Sequence, residues 1–209
     1  MKTRMSAKGR REQILEGAWS LFAQKGFRGT TTREIAKRLG ISEALMFKYF
    51  PTKAALYRAI IQKRMHGTEE MLFPKEAIDS KDDRQVFKSI LSYLLRKNTA
   101  DPTFMRLLLY SALEGHDLSK MFFENHAMDH TKLLARYIQR RIQEDGFRKV
   151  DPLLTARAFI GMAIHYVMSQ EIYGMKKLFH FSHHKVVETL VDLFLNGLKG
   201  LPEAHGRKE

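Results

Sequence analysis

Thr31-Thr32-Arg33-Glu34-Ile35-Ala36-Lys37-Arg38-Leu39-Gly40-Ile41-Ser42-Glu43-Ala44-Leu45-Met46-Phe47-Lys48-Tyr49-Phe50-Pro51 reads as two short helices and the turn between them. Thr31 followed three residues later by Glu34 is a capping box, which predicts a helix from Thr32 to Leu39 with Ile35, Ala36 and Leu39 facing inward. Gly40 supplies the left-handed stop. Ser42 offers a hydroxyl N-cap to a second helix. That helix must end by Phe50, because Pro51 disfavours α geometry in the residue before it.

Outward from this pair the apolar residues recur at three- and four-residue spacing, with no alternating stretch that would make a strand, so the chain is all-α. A preceding helix fits about residues 10–25, with a narrow inward face of Ile14, Ala18, Leu21 and Phe22 and a stop at Gly26. A following helix starts near Thr52 and places Leu56, Tyr57, Ile60, Ile61 and Met65 on one side. Later helices are predicted at about 83–97, 102–114, 118–144, 152–173 and 183–199. Asp101-Pro102 and Asp151-Pro152 serve as N-cap and first helical position, and Gly115, Gly146, Gly174 and Gly200 as stops. The expected organisation is a three-helix domain with an N-terminal arm over residues 1–52 and a helical domain over 53–209. Only the tail, Pro202 to Glu209, reads as disordered.

Composition narrows the function. The 209 residues contain no cysteine, which excludes disulfides, thiolate metal sites and cysteine nucleophiles. The longest nearly unbroken apolar run, Ala158 to Met168, is far short of the roughly 18 residues that cross a bilayer. No secretory signal follows the basic start. The expectation is a cytoplasmic protein with no membrane partner. The net charge is +13, and residues 1–66 carry fifteen Lys and Arg against four Glu, so +11 of it lies in the first third. Such a concentration of cations suits a polyanion, since the free energy of holding a duplex comes largely from displaced counterions. Two short helices joined by Gly40-Ile41 within that segment form a helix-turn-helix, whose second helix enters the major groove. No paired carboxylates, phosphate-cradling glycine loop or Ser-His-Asp order points to an enzyme, and no cofactor is implied.

Gly26-Phe27, Thr30-Thr31-Thr32, Ile35-Ala36, Leu39-Gly40-Ile41-Ser42, Phe47-Lys48-Tyr49-Phe50 and Lys53 to Leu56 together resemble, without a gap, the DNA-binding domain of the tetracycline-repressor (TetR) family. The resemblance implies a homodimeric transcription regulator, usually a repressor, whose C-terminal domain often binds a small molecule. Ala44-Leu45-Met46-Phe47 departs from the Gly-Thr-Leu-Tyr common in the family, losing two hydroxyls that meet phosphate. The candidates for phosphate contact are therefore Thr31, Thr32, Ser42, Tyr49, Lys48 and Lys53. Ala44, Leu45 and Phe47 lie on the reading helix, and the last two offer apolar contact to thymine methyls. Arg33 can reach guanine or phosphate. Glu43 either accepts from cytosine N4 or merely favours the helix dipole. Arg10 and Arg11, with Lys2, Arg4 and Lys8, form either an arm that follows the DNA backbone or a solubilising tail.

The last two helices are apolar over more than half their circumference, with Gly161 and Gly197 permitting close approach, as in a four-helix interface between two copies. A twofold dimer sets two reading helices roughly 34 Å apart on double-stranded DNA and so predicts a palindromic operator. Phe104, Met105, Leu108, Phe122, His126, His130, Met162, His165 and Tyr166 are either plain core or the lining of an amphiphilic effector site. His126 and His130 sit one turn apart, but no third ligand makes them a metal site. A linker helix beginning at Lys53 would transmit effector binding to half-site spacing. The rival reading is an architectural DNA binder indifferent to sequence.

Overall fold

In a computed structural model, residues 6–65 and 73–199 are described. Among them the helices are α1 (Ala7–Lys25), α2 (Thr32–Leu39), α3 (Glu43–Tyr49), α4 (Lys53–Met65), α5 (Lys75–Asp79), α6 (Asp83–Ala100), α7 (Thr103–Leu113), α8 (Asp117–Phe122), α9 (Met128–Gln143), α10 (Pro152–Val167) and α11 (His183–Lys199). The described residues contain no strand, and no described helix is long and apolar enough to cross a membrane. Two compact bodies result. One comprises Met1–Gly67 with Asp101–His126, the other Thr68–Ala100 with Ala127–Glu209. The expected cut after residue 52 falls inside the first body.

The start signals act as their chemistry requires. Ser6, Thr31, Ser42 and Asp151 each accept a backbone N–H from the first turn of the helix that follows. Ser6 starts α1 three residues before the expected position. Asp101 accepts the N–H of Thr103, so Pro102 stands just outside α7 rather than at its first position. Gly40 ends α2 with φ 64°, its own N–H and that of Ile41 closing back onto Lys37 and Ala36. At the end of α9 the left-handed residue is Asp145, with φ 56°, and not the neighbouring Gly146. The expected single helix over 118–144 is interrupted by a π-helical turn at Phe123–Ala127, and another, Met168–Ile172, follows α10. The short helices α5 and Met175–Lys177 have no counterpart in the sequence reading. Met1 to Met5, His66 to Leu72 and Gly200 to Glu209 lie outside the described residues. These spans include Lys2, Arg4, the far end of the linker helix and the tail read as disordered.

The core of the first body is built from Ile14, Leu15, Ala18, Trp19, Leu21 and Phe22 of α1, Ile35 of α2, Met46 and Phe50 around α3, Leu56, Tyr57, Ile60 and Ile61 of α4, and Leu107 of α7. The inward face of α1 is therefore broad, not narrow. It is surrounded by α2, α4 and α7, so residues on several sides of its axis are covered. Burying each Ile, Leu or Phe contributes about 1.5–3 kcal/mol. In the second body Phe87 of α6 packs against the rings of Tyr137, Phe147, Phe159 and Phe194. Asp83, buried at the start of α6, accepts the Tyr137 hydroxyl at 2.7 Å and the Arg141 Nε–H at 2.8 Å, tying α6 to α9. Burial, together with the neighbouring Asp83 carboxylate, raises the Tyr137 phenol well above its ordinary value.

Candidate nucleic-acid interface

The reading helix α3 has only seven residues, too short to persist alone in water. Two groups hold it. Ser42 Oγ accepts the Leu45 N–H at 3.1 Å, and Met46, buried in the core cluster, pins the inner face. This leaves Ala44, Phe47 and Lys48 exposed, with Lys48 engaging no partner among the described residues. Leu45 and Tyr49 are half-buried, and Tyr49 packs on the core cluster.

Helix α2 is joined to α3 by side chains expected to face DNA. Thr32 donates its hydroxyl to Glu43 Oε2 at 2.7 Å, and Arg33 Nε stands 3.5 Å from Glu43 Oε1. Glu43 thus braces two neighbours, while the Arg33 side chain remains 89% exposed. Thr31 caps α2 by accepting the Glu34 N–H. The ion pair with Lys25 is the main reason the Glu34 carboxyl lies below its ordinary value. Exposed Lys37 and Arg38 in the last turn of α2 add cations that the sequence reading passed over.

Three expected contacts are partly occupied inside the protein. Lys53 is the clearest case. Its ammonium donates to the carbonyls of Phe27 at 2.8 Å and Thr30 at 2.9 Å, and lies 4.2 Å from the Phe27 ring centre. An ammonium has three N–H groups, so one remains. Burial lowers the Lys53 pKa and the Glu114 charge opposes that shift. Arg11 lies over the Phe50 ring at 5.0 Å, and Arg10 donates to Gln13 on the same helix. The structure therefore makes the arginines of α1 part of the folded head and not a loose tail.

Residues far along the chain fix the turn beneath the reading head, and the sequence carries no local signal for them. Gly26, at φ 72°, ends α1. A Cβ there would lie 2.3 Å from Glu114 Oε1. Glu114, just after α7, accepts the N–H of Phe27 at 3.0 Å and of Arg28 at 3.2 Å, while the Arg28 guanidinium donates to the Glu114 carbonyl. Tyr110 donates to Gln24 O and Tyr57 to Leu107 O. Helix α7 is thereby bonded to α1, to the turn after it and to α4.

The expected effector residues divide between the bodies. In the first, Phe104 stacks on Trp19 and meets Phe122 edge-on, Leu108 packs on the core cluster, and Met105 is buried. His126 lies in the π-helical turn, its side chain outside the described residues. In the second, His130, Met162 and Tyr166 are half-buried, and His165 is exposed with its ring 3.4 Å from the Ser169 hydroxyl. His165 falls on the outward stripe of α10 and not on the Ala156, Phe159, Ala163 and Val167 side. No group of three or more metal-ligating side chains occurs among the described residues.

A capped seven-residue helix presented beside α2 in a cationic head, joined to a helical remainder, defines a helix-turn-helix DNA-binding protein. Residues 14–60 match the family described as bacterial regulatory proteins, tetR family, and residues 84–197 match the AefR-like transcriptional repressor C-terminal domain. The chain belongs to the tetR family of transcriptional regulators. Among its relatives, the nucleoid occlusion factor SlmA of Glaesserella parasuis serovar 5 (strain SH0165) is 27% identical over 88% of this chain and 89% of its own. Two solved structures share the fold. FadR from Bacillus subtilis in complex with stearoyl-CoA has a TM-score of 0.67 and 14% identity, covering 89% of this chain and 98% of that one. AibR in complex with isovaleryl coenzyme A and operator DNA has a TM-score of 0.67 and 18% identity, covering 88% and 97%.

Proposed function

We propose that this chain is a homodimeric repressor that reads a palindromic operator and is released by a small apolar or amphiphilic effector. The observation that carries the reading is the reading head itself. Helix α3 is held from within by Met46 and at its start by Ser42, so that Ala44, Phe47 and Lys48 stand outward, with Arg33 exposed alongside. Phe47 and Ala44 suit thymine methyls and Arg33 suits guanine, while Lys48, Thr31 and the remaining N–H of Lys53 serve phosphate. Glu43 acts as a brace between Thr32 and Arg33 and in that way aims the arginine.

Dimerisation is supported by an uncovered face. Along α10 the residues Leu154, Ala158, Gly161 and His165 are exposed at helical spacing, and along α11 Thr189, Leu193 and Gly197 are. Leu154 is 68% and Leu193 64% exposed, and a Cβ at Gly161 or Gly197 would meet nothing within 4 Å. Apolar stripes of this kind mark a protein contact, and the two open glycines allow partner helices to approach closely.

The effector reading draws on the acyl thioesters bound by the FadR and AibR structures and on the bonding of α7. A ligand that moved Phe104 or Phe122 would move α7 and, through Glu114 and Tyr110, the turn under the reading head. Linkage then requires operator affinity to change by the differential affinity of the ligand, typically 1–3 kcal/mol. The test is selection of bound duplexes from random DNA, followed by competition at fixed salt. The selected palindrome should outcompete a scrambled duplex, with each wrong base pair costing about 1–3 kcal/mol. Equal affinity for both would leave only the architectural reading. The relatives named nucleoid occlusion factor SlmA favour a second role, at the nucleoid as a whole and not at one promoter. Dispersed genomic sites, in place of one or a few promoters, would favour it.

A further inference from the structure

The inward stripe of α10 runs through Ala156, Phe159, Ala163 and Val167, all fully buried, and the next position on it at helical spacing is Gln170. Gln170 stands in the π-helical turn Met168–Ile172, which the Tyr173 N–H closes onto the Met168 carbonyl at 3.0 Å. The stripe calls for an apolar side chain here, yet the residue is an amide and only 8% exposed. Among the described residues neither its oxygen nor its nitrogen has a hydrogen-bond partner. The amide is not sealed in, because Arg140 Nε is the one fully enclosed side-chain polar atom without a partner among the described residues. One turn earlier, on the neighbouring position of the helix surface, Tyr166 is half-buried, and its hydroxyl likewise makes no hydrogen bond among the described residues. Burial, and after it the charge of Glu171, raises this phenol above its ordinary value, so it remains a protonated donor. Both residues belong to the second body. Buried polar groups are as a rule paired, and one left unpaired lowers stability. Two of them a turn apart ask for a partner from outside the chain.

We propose that Gln170 and Tyr166 hold the uncharged carbonyl end of an apolar effector. The amide N–H and the phenol O–H both donate, and a carbonyl oxygen has two lone pairs with which to accept them. A carboxylate suits the site less well. The stripe carries no cation, and Glu171, next in sequence, sets a negative charge close enough to act on Tyr166. The Lys176 ammonium is taken by Glu171 at 2.7 Å and so is not offered to an anion. Met162, half-buried one turn before Tyr166, gives a thioether against which a hydrocarbon body can lie. The class is thus an ester, ketone, lactone or amide on an apolar chain or ring. The proposal rests on the effector reading above, but its binding and stability effects can be measured separately from it.

The experiment is calorimetric titration of the full chain with methyl butanoate, methyl octanoate and methyl dodecanoate, with the matching carboxylates as controls. Gln170→Leu and Tyr166→Phe remove the two donors with little change of shape. At least one ester is expected to bind wild type, and to bind Gln170→Leu at least about tenfold more weakly, with its carboxylate weaker than the ester on wild type. A second readout needs no ligand. Because the amide is unpaired, Gln170→Leu should raise the melting temperature by about 2–4 °C, whereas the loss of an amide that held the fold together would lower it. A melting temperature that fails to rise, no ester bound by wild type, equal binding by Gln170→Leu, or a carboxylate bound more tightly than its ester overturns the proposal. Full affinity in Tyr166→Phe overturns the part assigned to the phenol. A further arm separates the two readings. Should an ester release the selected duplex from wild type and Gln170→Leu at the same concentration, the Gln170 assignment falls and the effector reading stands. Should an ester bind through Gln170 and leave duplex affinity unchanged, the site stands and the effector reading falls.

Discussion

Glu114 shows how one side chain can govern a surface to which it does not belong. Its carboxylate accepts two backbone N–H groups in the turn that follows α1, and without it those donors lose charged acceptors. Glu114→Ala is expected to lower stability by about 1–3 kcal/mol in chemical denaturation and to weaken operator binding, with Glu114→Gln intermediate because the amide oxygen still accepts. A loss below about 0.5 kcal/mol would mean that the turn holds itself. The sequence could not disclose this residue, since 86 positions separate Glu114 from Arg28 and no local pattern links them. Ser42, Thr31 and Gly40 were legible because their roles are settled within three or four residues by hydroxyl reach and left-handed backbone. Lys53 lies between these cases. Its place in the pattern was legible, but its attachment to Phe27 and Thr30 depends on a fold around it.

At the scale of elements, a helix with an unbroken apolar period was readable to the residue, as α11 illustrates at His183–Lys199. The breadth of the buried face of α1 was not, because periodicity reports one stripe and α1 is enclosed by three neighbours. The π-helical turns were not read because each is five residues long, shorter than the window of about 11–18 residues from which a helical period is recognised. Helix α11 carries two predictions. Leu193 stands on its uncovered face, so Leu193→Glu should leave the melting profile of the monomeric fold within about 0.5 kcal/mol while shifting sedimentation from dimer towards monomer. A variant that stayed dimeric would remove α11 from the interface. On the same helix Glu188 engages Arg84 and Lys88 of α6, and the hydrogen bond from Lys88 is the main reason its carboxyl lies below the ordinary 4.5. A lowered carboxyl stabilises the fold above that ordinary value and loses its contribution as pH falls through the lowered one. Melting temperature should therefore drop below pH 4.5 in wild type, and less in Glu188→Gln, which has no carboxylate to protonate. An equal drop in both would place the acid sensitivity elsewhere.

For the whole molecule, the distribution of charge joins the scales. With +11 in residues 1–66 and +2 in the remainder, the attraction to DNA is concentrated in the reading head, which leaves the remaining helices for the proposed effector site and dimer contact. A single head presenting a seven-residue helix contacts too few base edges to find one site among a genome of competitors, and the proposed dimer would answer this by setting two heads at a fixed separation. That separation is a property of the paired helices and cannot adjust to the DNA without deforming it. Inserting five base pairs between the half-sites of the selected operator would turn the second head to the opposite side of the duplex, since a turn takes about 10–10.5 base pairs. Affinity should then fall to that of a single half-site. Inserting ten base pairs restores the face but moves the half-sites about 34 Å further apart, beyond what a fixed pair can span. Both insertions should weaken binding in a gel-shift titration, whereas loosely tethered heads would recover at ten, and indifference to either insertion would show that the heads read DNA independently.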